Sequence, residues 1–173
     1  KKFCLKAGTK KADEIHDYFI KLETIMFEIT KEECNELKQQ LQQIENIKNK
    51  ELEYKIVKEK EKYLLKHFAN IGNIIYIIRV KSYDDGTYIV KIGESRKGIQ
   101  NRYSEHKSNY EECLLLDCFE VDKSKEFEYF LHHHSIIGPS KITDLENHKK
   151  ENELFLIGNK LTYQILLKII DNN

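Results

Sequence analysis

Ile74-Ile75-Tyr76-Ile77-Ile78-Arg79-Val80-Lys81, then Asp84-Asp85-Gly86, then Tyr88-Ile89-Val90-Lys91-Ile92-Gly93 is the stretch that decides the fold. Both flanking runs are rich in β-branched and aromatic side chains, which fit a pleated, partly buried surface. The Asp-Gly pair between them suits a tight hairpin turn. Strands are therefore expected at Ile74–Lys81 and Tyr88–Gly93. Among the polar groups in and beyond this hairpin, Tyr76, Lys91, Arg102, His106 and Glu128 stand at separated places. Those are the residue types needed to hold a phosphodiester and a hard metal ion.

Downstream, the pattern predicts a helix from about Gly98 to Asn109 and a third strand over Glu112–Val121. A helix from Ser124 to about Ile137 should stop at Gly138-Pro139. A short helix near Thr143–Lys150 is expected before a strand-like piece, Glu153–Ile157. Gly158-Asn159 then turns the chain into an amphipathic helix, Leu161–Ile170. The expected class is α+β: a small antiparallel three-stranded sheet flanked by helices, occupying residues 72–173.

Upstream, Gly72 reads as a helix C-cap. From Ala12 to Thr30, Ile15, Tyr18, Phe19, Leu22, Ile25, Met26 and Ile29 recur in steps of three and four, one face of a helix. From Glu32 to Phe68 a narrower seam follows, through Leu37, Leu41, Ile44 and Ile47, then Leu52, Ile56 and Tyr63. Alternating charges such as Glu59-Lys60-Glu61-Lys62 flank it. This long N-terminal extension has a coiled-coil or spacer pattern, with a stutter over Lys48–Glu51. Residues 1–30 and 31–70 are read as separate segments, the second able to pair two copies as a homodimer. A solvated connecting helix is the duller alternative.

Twenty-nine Lys and Arg balance twenty-nine Asp and Glu, a formal net charge of zero. That argues against a strongly basic module but leaves a local basic face open. The four cysteines, Cys4, Cys34, Cys113 and Cys118, form no CxxC pair, and the chain is too long and Lys/Glu-rich for a secreted disulfide scaffold. Reduced thiols and an intracellular setting are expected. No apolar run approaches the roughly 20 residues that span a bilayer, so no membrane partner is expected. The chain begins at Lys1 without Met and reads as part of something longer.

Ile75-Tyr76 on one strand and Lys91-Ile92-Gly93 on the next resemble the two halves of the signature of GIY-YIG endonucleases. The likeness is greatest to the phage and large-DNA-virus branch, where the second half often reads Val-Lys-Ile-Gly. Arg102 and His106 lie one helical turn apart as in several members. Glu128 with Leu131-His132 is similar to that branch's Glu-helix, and Glu153-Leu154-Phe155 to its closing strand. Ile74 stands where the first Gly would be, and Lys91 where the second Tyr would be. Asn159 is the candidate for the family's late asparagine. Lys2-Phe3-Cys4-Leu5-Lys6-Ala7-Gly8-Thr9 and the helix after it also resemble the tail of a viral Bro-N/KilA-N-like DNA-binding domain.

The resemblance implies a metal-dependent DNA endonuclease of a large DNA virus or mobile element, acting in the host cytoplasm or a viral replication compartment. Phosphodiester hydrolysis needs an activated water, charge neutralisation on the phosphoryl oxygens and help for the leaving oxygen. One carboxylate, Glu128, with several waters suits Mg²⁺ or Mn²⁺. Arg102 offers a planar donor fork to phosphate. Tyr76 beside Lys91 would take the water's proton if ammonium and metal lower its pKa, and His106 would orient Tyr76 or contact the phosphate. Arg96, Lys97, Arg102 and Lys107 would meet the nucleic-acid backbone.

Taken singly, each residue has an ordinary reading: a core Tyr, an exposed strand Lys, a surface Arg, a surface Glu. The order and spacing carry the argument. The alternative functions are a non-cleaving DNA-binding protein that uses the fold as a phosphate clamp, and an oligomerising structural protein. A zinc site from His132-His133-His134 with Cys113 and Cys118 is disfavoured, because consecutive helical residues point about 100° apart.

Overall fold

The computed structural model describes residues 9–146 and 148–173, without the side chains of residues 149 and 150. Lys2 to Gly8, where the likeness to a viral DNA-binding tail begins, lies outside the described residues. The chain divides into two compact units at Tyr54/Lys55. Among the described residues no helix is long and apolar enough to cross a membrane. Cys34, Cys113 and Cys118 are free thiols.

The first long helix, α1, runs Lys10–His67, so the two helices expected at 12–30 and 32–68 are one. Residues 10–67 include no Gly or Pro to interrupt it. Thr30, at the expected joint, stays in the helix with its hydroxyl donating to the Met26 carbonyl at 2.8 Å. The last turns of α1, from Lys55, belong to the second unit.

That second unit is built on strands β1 (Ile74–Ser82), β2 (Tyr88–Ser95), β3 (Leu114–Glu120), β4 (Lys141–Leu145) and β5 (His148–Ile157). They form one antiparallel five-stranded sheet in the order β3-β1-β2-β5-β4. The expected sheet had three strands. The difference is the β4–β5 hairpin, which replaces the short helix expected near Thr143–Lys150. That segment has one buried apolar residue, Leu145, and a polar remainder. The strands there pair with each other, Asp144 with Lys149 and Leu145 with His148, and only the later part of β5, Leu154 to Ile157, pairs with β2. This pairing overrides local propensity.

Helices cover both faces. On one, the end of α1 (Leu64, Leu65, Phe68) and helix α2 (Gln100–Asn109) with Tyr103 pack on Tyr76, Ile78 and Ile89. On the other, α3 (Ser124–His133) and α4 (Tyr163–Asp171) pack on Ile75, Ile77, Val90 and Ile92. This two-sided burial is why β1 is apolar almost throughout instead of alternating. A 3₁₀ turn, Gly138–Ser140, separates α3 from β4 and contains the chain's one proline.

Two polar anchors tie the end of α1 to the sheet. Glu61, 5 % exposed, accepts from the Tyr103 hydroxyl at 2.8 Å, the Leu115 amide at 3.0 Å and Lys58 at 2.9 Å. Lys60 pairs with Asp117 of β3 at 2.7 Å, and Asp117 also accepts from the Tyr163 hydroxyl of α4 at 2.7 Å.

Candidate functional site

The site forms where the sheet opens. β2 pairs with β5 only from Tyr88 to Lys91, whereas its pairing with β1 continues to Ser95. Beyond Lys91 the edge of β2 is therefore free of β5. His132 of α3 covers part of it, donating from Nε2 to the Ile92 carbonyl at 2.9 Å. Side chains from both faces of the sheet meet around this edge.

From the α2 face comes Tyr76. It lies against Gly93, its register partner on β2, and a Cβ at position 93 would collide with the Tyr76 ring and hydroxyl. Glycine is what gives the ring its place. The Tyr76 hydroxyl and His106 Nε2 share a hydrogen bond of 2.9 Å, with the residues 2 % and 7 % exposed. Burial, then the Lys91 charge, pushes the His106 pKa down to about 4, so the imidazole is neutral at pH 7. Burial first, then Glu153, raises the Tyr76 pKa, and Lys91 and Arg102 only partly oppose this. The lowered Tyr76 pKa expected from a neighbouring ammonium is therefore not what the protein groups alone produce.

Lys91, buried on β2, is held by two carboxylates of β5: Glu153 at 2.9 Å and Glu151 at 3.0 Å. Burial works against the ammonium, but the two carboxylates outweigh it and raise its pKa. An irregularity in β5 puts both acids there. Ile142 faces Leu154 and Asp144 faces Lys149, so β5 takes five steps where β4 takes two. Such a bulge re-aims side chains.

From the opposite face comes Glu128 of α3. Its carboxylate accepts from the Glu94 amide, and its pKa is pushed up to about 7 by burial first and then by the Glu153 charge, with Glu94 adding to the repulsion. Glu94 itself accepts from the Ser124 hydroxyl at 2.7 Å. Arg102 is at the mouth, half-exposed and paired with Glu105 at 3.1 Å, with its charge still acting on Tyr76.

Tyr76, Lys91, His106 and Glu128 thus share one electrostatic cluster with Arg102 at its rim. Arg96 and Lys97 are exposed and line an adjoining groove with Asn101, Arg102 and Lys125. Lys107 is exposed on α2 and does not line that groove. Asn159 is exposed in the turn after β5. Glu94, Glu151 and Glu153 were not foreseen as site residues. The only sequence signal was the two-residue spacing of Glu151 and Glu153, which gains meaning once β5 is known to lie beside Lys91.

Among the described residues no group of three or more His, Cys, Asp or Glu is gathered to hold a metal ion. His133 instead bonds the Tyr129 carbonyl at 2.8 Å and stacks on the Tyr129 ring. Glu128 could serve a metal only as a single protein carboxylate with the remaining positions taken by water. The Glu153 and Glu94 charges that act on it would also attract a divalent cation, whereas burial, the larger cause of its raised pKa, would not. Compared with family models, curated proteins and solved structures, the chain matches none.

Proposed function

We propose that the second unit is a metal-dependent DNA endonuclease of the GIY-YIG type, akin to those of phages and large DNA viruses or mobile elements. The observation that carries this reading is the meeting of Tyr76–His106, Lys91 and Glu128 from four separate elements at one open sheet edge. A non-cleaving phosphate clamp has no use for Glu128 there, since a bare carboxylate repels phosphate.

Mg²⁺ or Mn²⁺ at Glu128 would neutralise phosphoryl charge and assist the leaving oxygen. The chain's own groups supply the rest. In the tautomer with Nδ1 protonated, neutral His106 accepts the Tyr76 hydroxyl proton through Nε2. Tyr76 can then take a proton from the attacking water as it passes its own to His106, which removes the need for a free tyrosinate. Arg102 is positioned to donate to a non-bridging oxygen once it exchanges Glu105, an exposed partner worth little, for phosphate. Lys91, itself held by Glu151 and Glu153, opposes with Arg102 part of the rise in the Tyr76 pKa. Arg96, Lys97 and Lys107 are the candidate contacts to the nucleic-acid backbone.

Under the same reading, residues 1–30 end a DNA-reading domain, α1 joins two copies, and the protein works in a host cytoplasm or viral replication compartment. A supercoiled-plasmid assay tests the central claim. Wild type should nick with Mg²⁺ and not with EDTA. Glu128→Ala should lose nicking by about 10²-fold or more while still binding DNA. Nicking retained by Glu128→Ala removes Glu128 from the scheme, and binding without nicking in wild type selects the phosphate clamp.

A further inference from the structure

The last turns of α1 are usually what a spacer would be, yet here they are fixed beside the site. Ile99, which precedes α2, donates its amide to the Phe68 carbonyl at 2.9 Å. Gly98 has φ +82° and touches Ala69 so closely that a Cβ would strike the Ala69 carbonyl, and a Cβ on Gly72 would come within 2.5 Å of the Arg96 carbonyl oxygen. The loop carrying Arg96 and Lys97 is thus seated on the end of α1. All of these residues belong to the second unit.

Two grooves flank the first turns of α2. One is lined by Arg96, Lys97, Asn101, Arg102 and Lys125, with Glu94 and Glu105 as its carboxylates. The other lies between α1 and α2 on a floor of Leu65, Ala69 and Tyr103, with Lys62 and Lys66 on one rim and Gln100 on the other. Lys66, Lys97 and Lys125 are exposed and have no ion-pair partner among the described residues. Lys62 is paired only with Glu59, one turn away and as exposed as itself. Such a pair is worth little and yields to phosphate. Among the described residues Arg96 and Arg102 are likewise held only by Glu94 at 3.8 Å and by exposed Glu105 at 3.1 Å, whereas Lys60, Arg79 and Lys91 have carboxylate partners that are less than half exposed.

We propose that the end of α1 is part of the nucleic-acid interface: the DNA backbone that enters the Arg96–Lys125 groove continues over the first turns of α2 and is received by Lys62 and Lys66. This rests on the endonuclease reading. The chemistry chosen is a phosphodiester strand because the two grooves, on either side of the first turns of α2, present cations and side-chain amides, which position a backbone without reading bases.

The test uses the full chain carrying Glu128→Ala, so that DNA is bound and not cut, and a labelled B-form duplex. The dissociation constant is measured against salt. Each phosphate contact removed lowers the log–log salt slope by about 0.9. Lys62→Gln with Lys66→Gln should therefore lower it by about 1.8. In the background with Glu128 intact, the same pair should raise KM for duplex and leave kcat unchanged. Lys160→Gln with Lys168→Gln, on the α4 side, should change neither. An unchanged slope in the Lys62/Lys66 variant overturns the proposal and leaves the catalytic reading standing, as does an equal loss in the Lys160/Lys168 control. A Glu128→Ala chain that binds no duplex overturns the proposal too, whereas wild-type nicking that fails while duplex binding is retained counts against the catalytic reading alone.

Discussion

Glu153 connects the chemistry of the site at the scale of single residues. Its charge acts on Tyr76, Lys91, His106 and Glu128 together. On Glu128 the sign is definite: burial and Glu153 disfavour the carboxylate, so the ionised form, which the proposed metal role requires, appears only as pH rises through about 7. The folded state binds this proton more tightly than the unfolded chain, so Glu128's contribution to stability falls between about pH 4.5 and 7 and is gone above that window. With limiting Mg²⁺, wild-type nicking should rise to a plateau above about pH 7. Glu153→Gln removes one repulsive charge while Glu151 still holds Lys91. It should be several-fold more active than wild type at pH 6 and equal at pH 8. A pH–rate profile in which the two enzymes superimpose would take Glu153 out of the electrostatics of the site.

Among elements, the central hairpin was legible and the second hairpin was not, for a physical reason. β1 and β2 announce themselves by composition and by an Asp-Gly turn, signals that lie within the segment. β4 and the first half of β5 have none, because what makes them strands is pairing to one another, on a β5 whose second half is held by β2. Tyr76, Lys91, Arg102, His106 and Glu128 could be picked out by type and spacing, whereas Glu151 and Glu153 depend on a bulge whose register no local pattern encodes. Glu61 was hidden differently, as one charge among many on α1, and only the sheet against which it is buried distinguishes it. Burial alone would raise its pKa, but hydrogen bonds from Lys58, the Leu115 amide and Tyr103 prevail and hold it below the usual carboxylate range. Its stabilisation is therefore present above its unfolded pKa and is lost as pH falls through the lower folded value. Glu61→Ala strands the Leu115 amide and leaves the Tyr103 hydroxyl only a long bond to the Cys113 carbonyl at 3.4 Å, and should cost about 2 kcal/mol in urea unfolding at pH 7. A loss under about 0.5 kcal/mol, the range of ordinary surface changes, would mean that α1 is not anchored there.

For the whole molecule the open question is what covers α1. The helix has 58 residues, roughly 87 Å at 1.5 Å per residue. Leu37, Leu41, Ile44 and Ile47, and then Leu52 and Ile56, are all exposed along it. Helices draw most of their stability in proteins from packing of an apolar face, so a stripe of this length calls for a partner surface. A second copy of the same helix supplies a complementary one, with each buried Leu or Ile worth about 1.5–3 kcal/mol. The seam departs from a strict heptad between Ile47 and Leu52, which unwinds a left-handed supercoil locally and still leaves pairing intact. Wild type should therefore sediment as a dimer at micromolar concentration. Leu41→Lys with Ile44→Lys places like charges in the seam and should give a monomer whose second unit melts at the wild-type temperature. Under the endonuclease reading, two second units joined this way can address both strands of a duplex. The monomeric variant should therefore keep its nicking rate per site and lose linear product from a supercoiled plasmid. A wild-type chain that sediments as a monomer, or a charged variant that still linearises plasmid, would assign the stripe to another partner and leave each second unit acting alone.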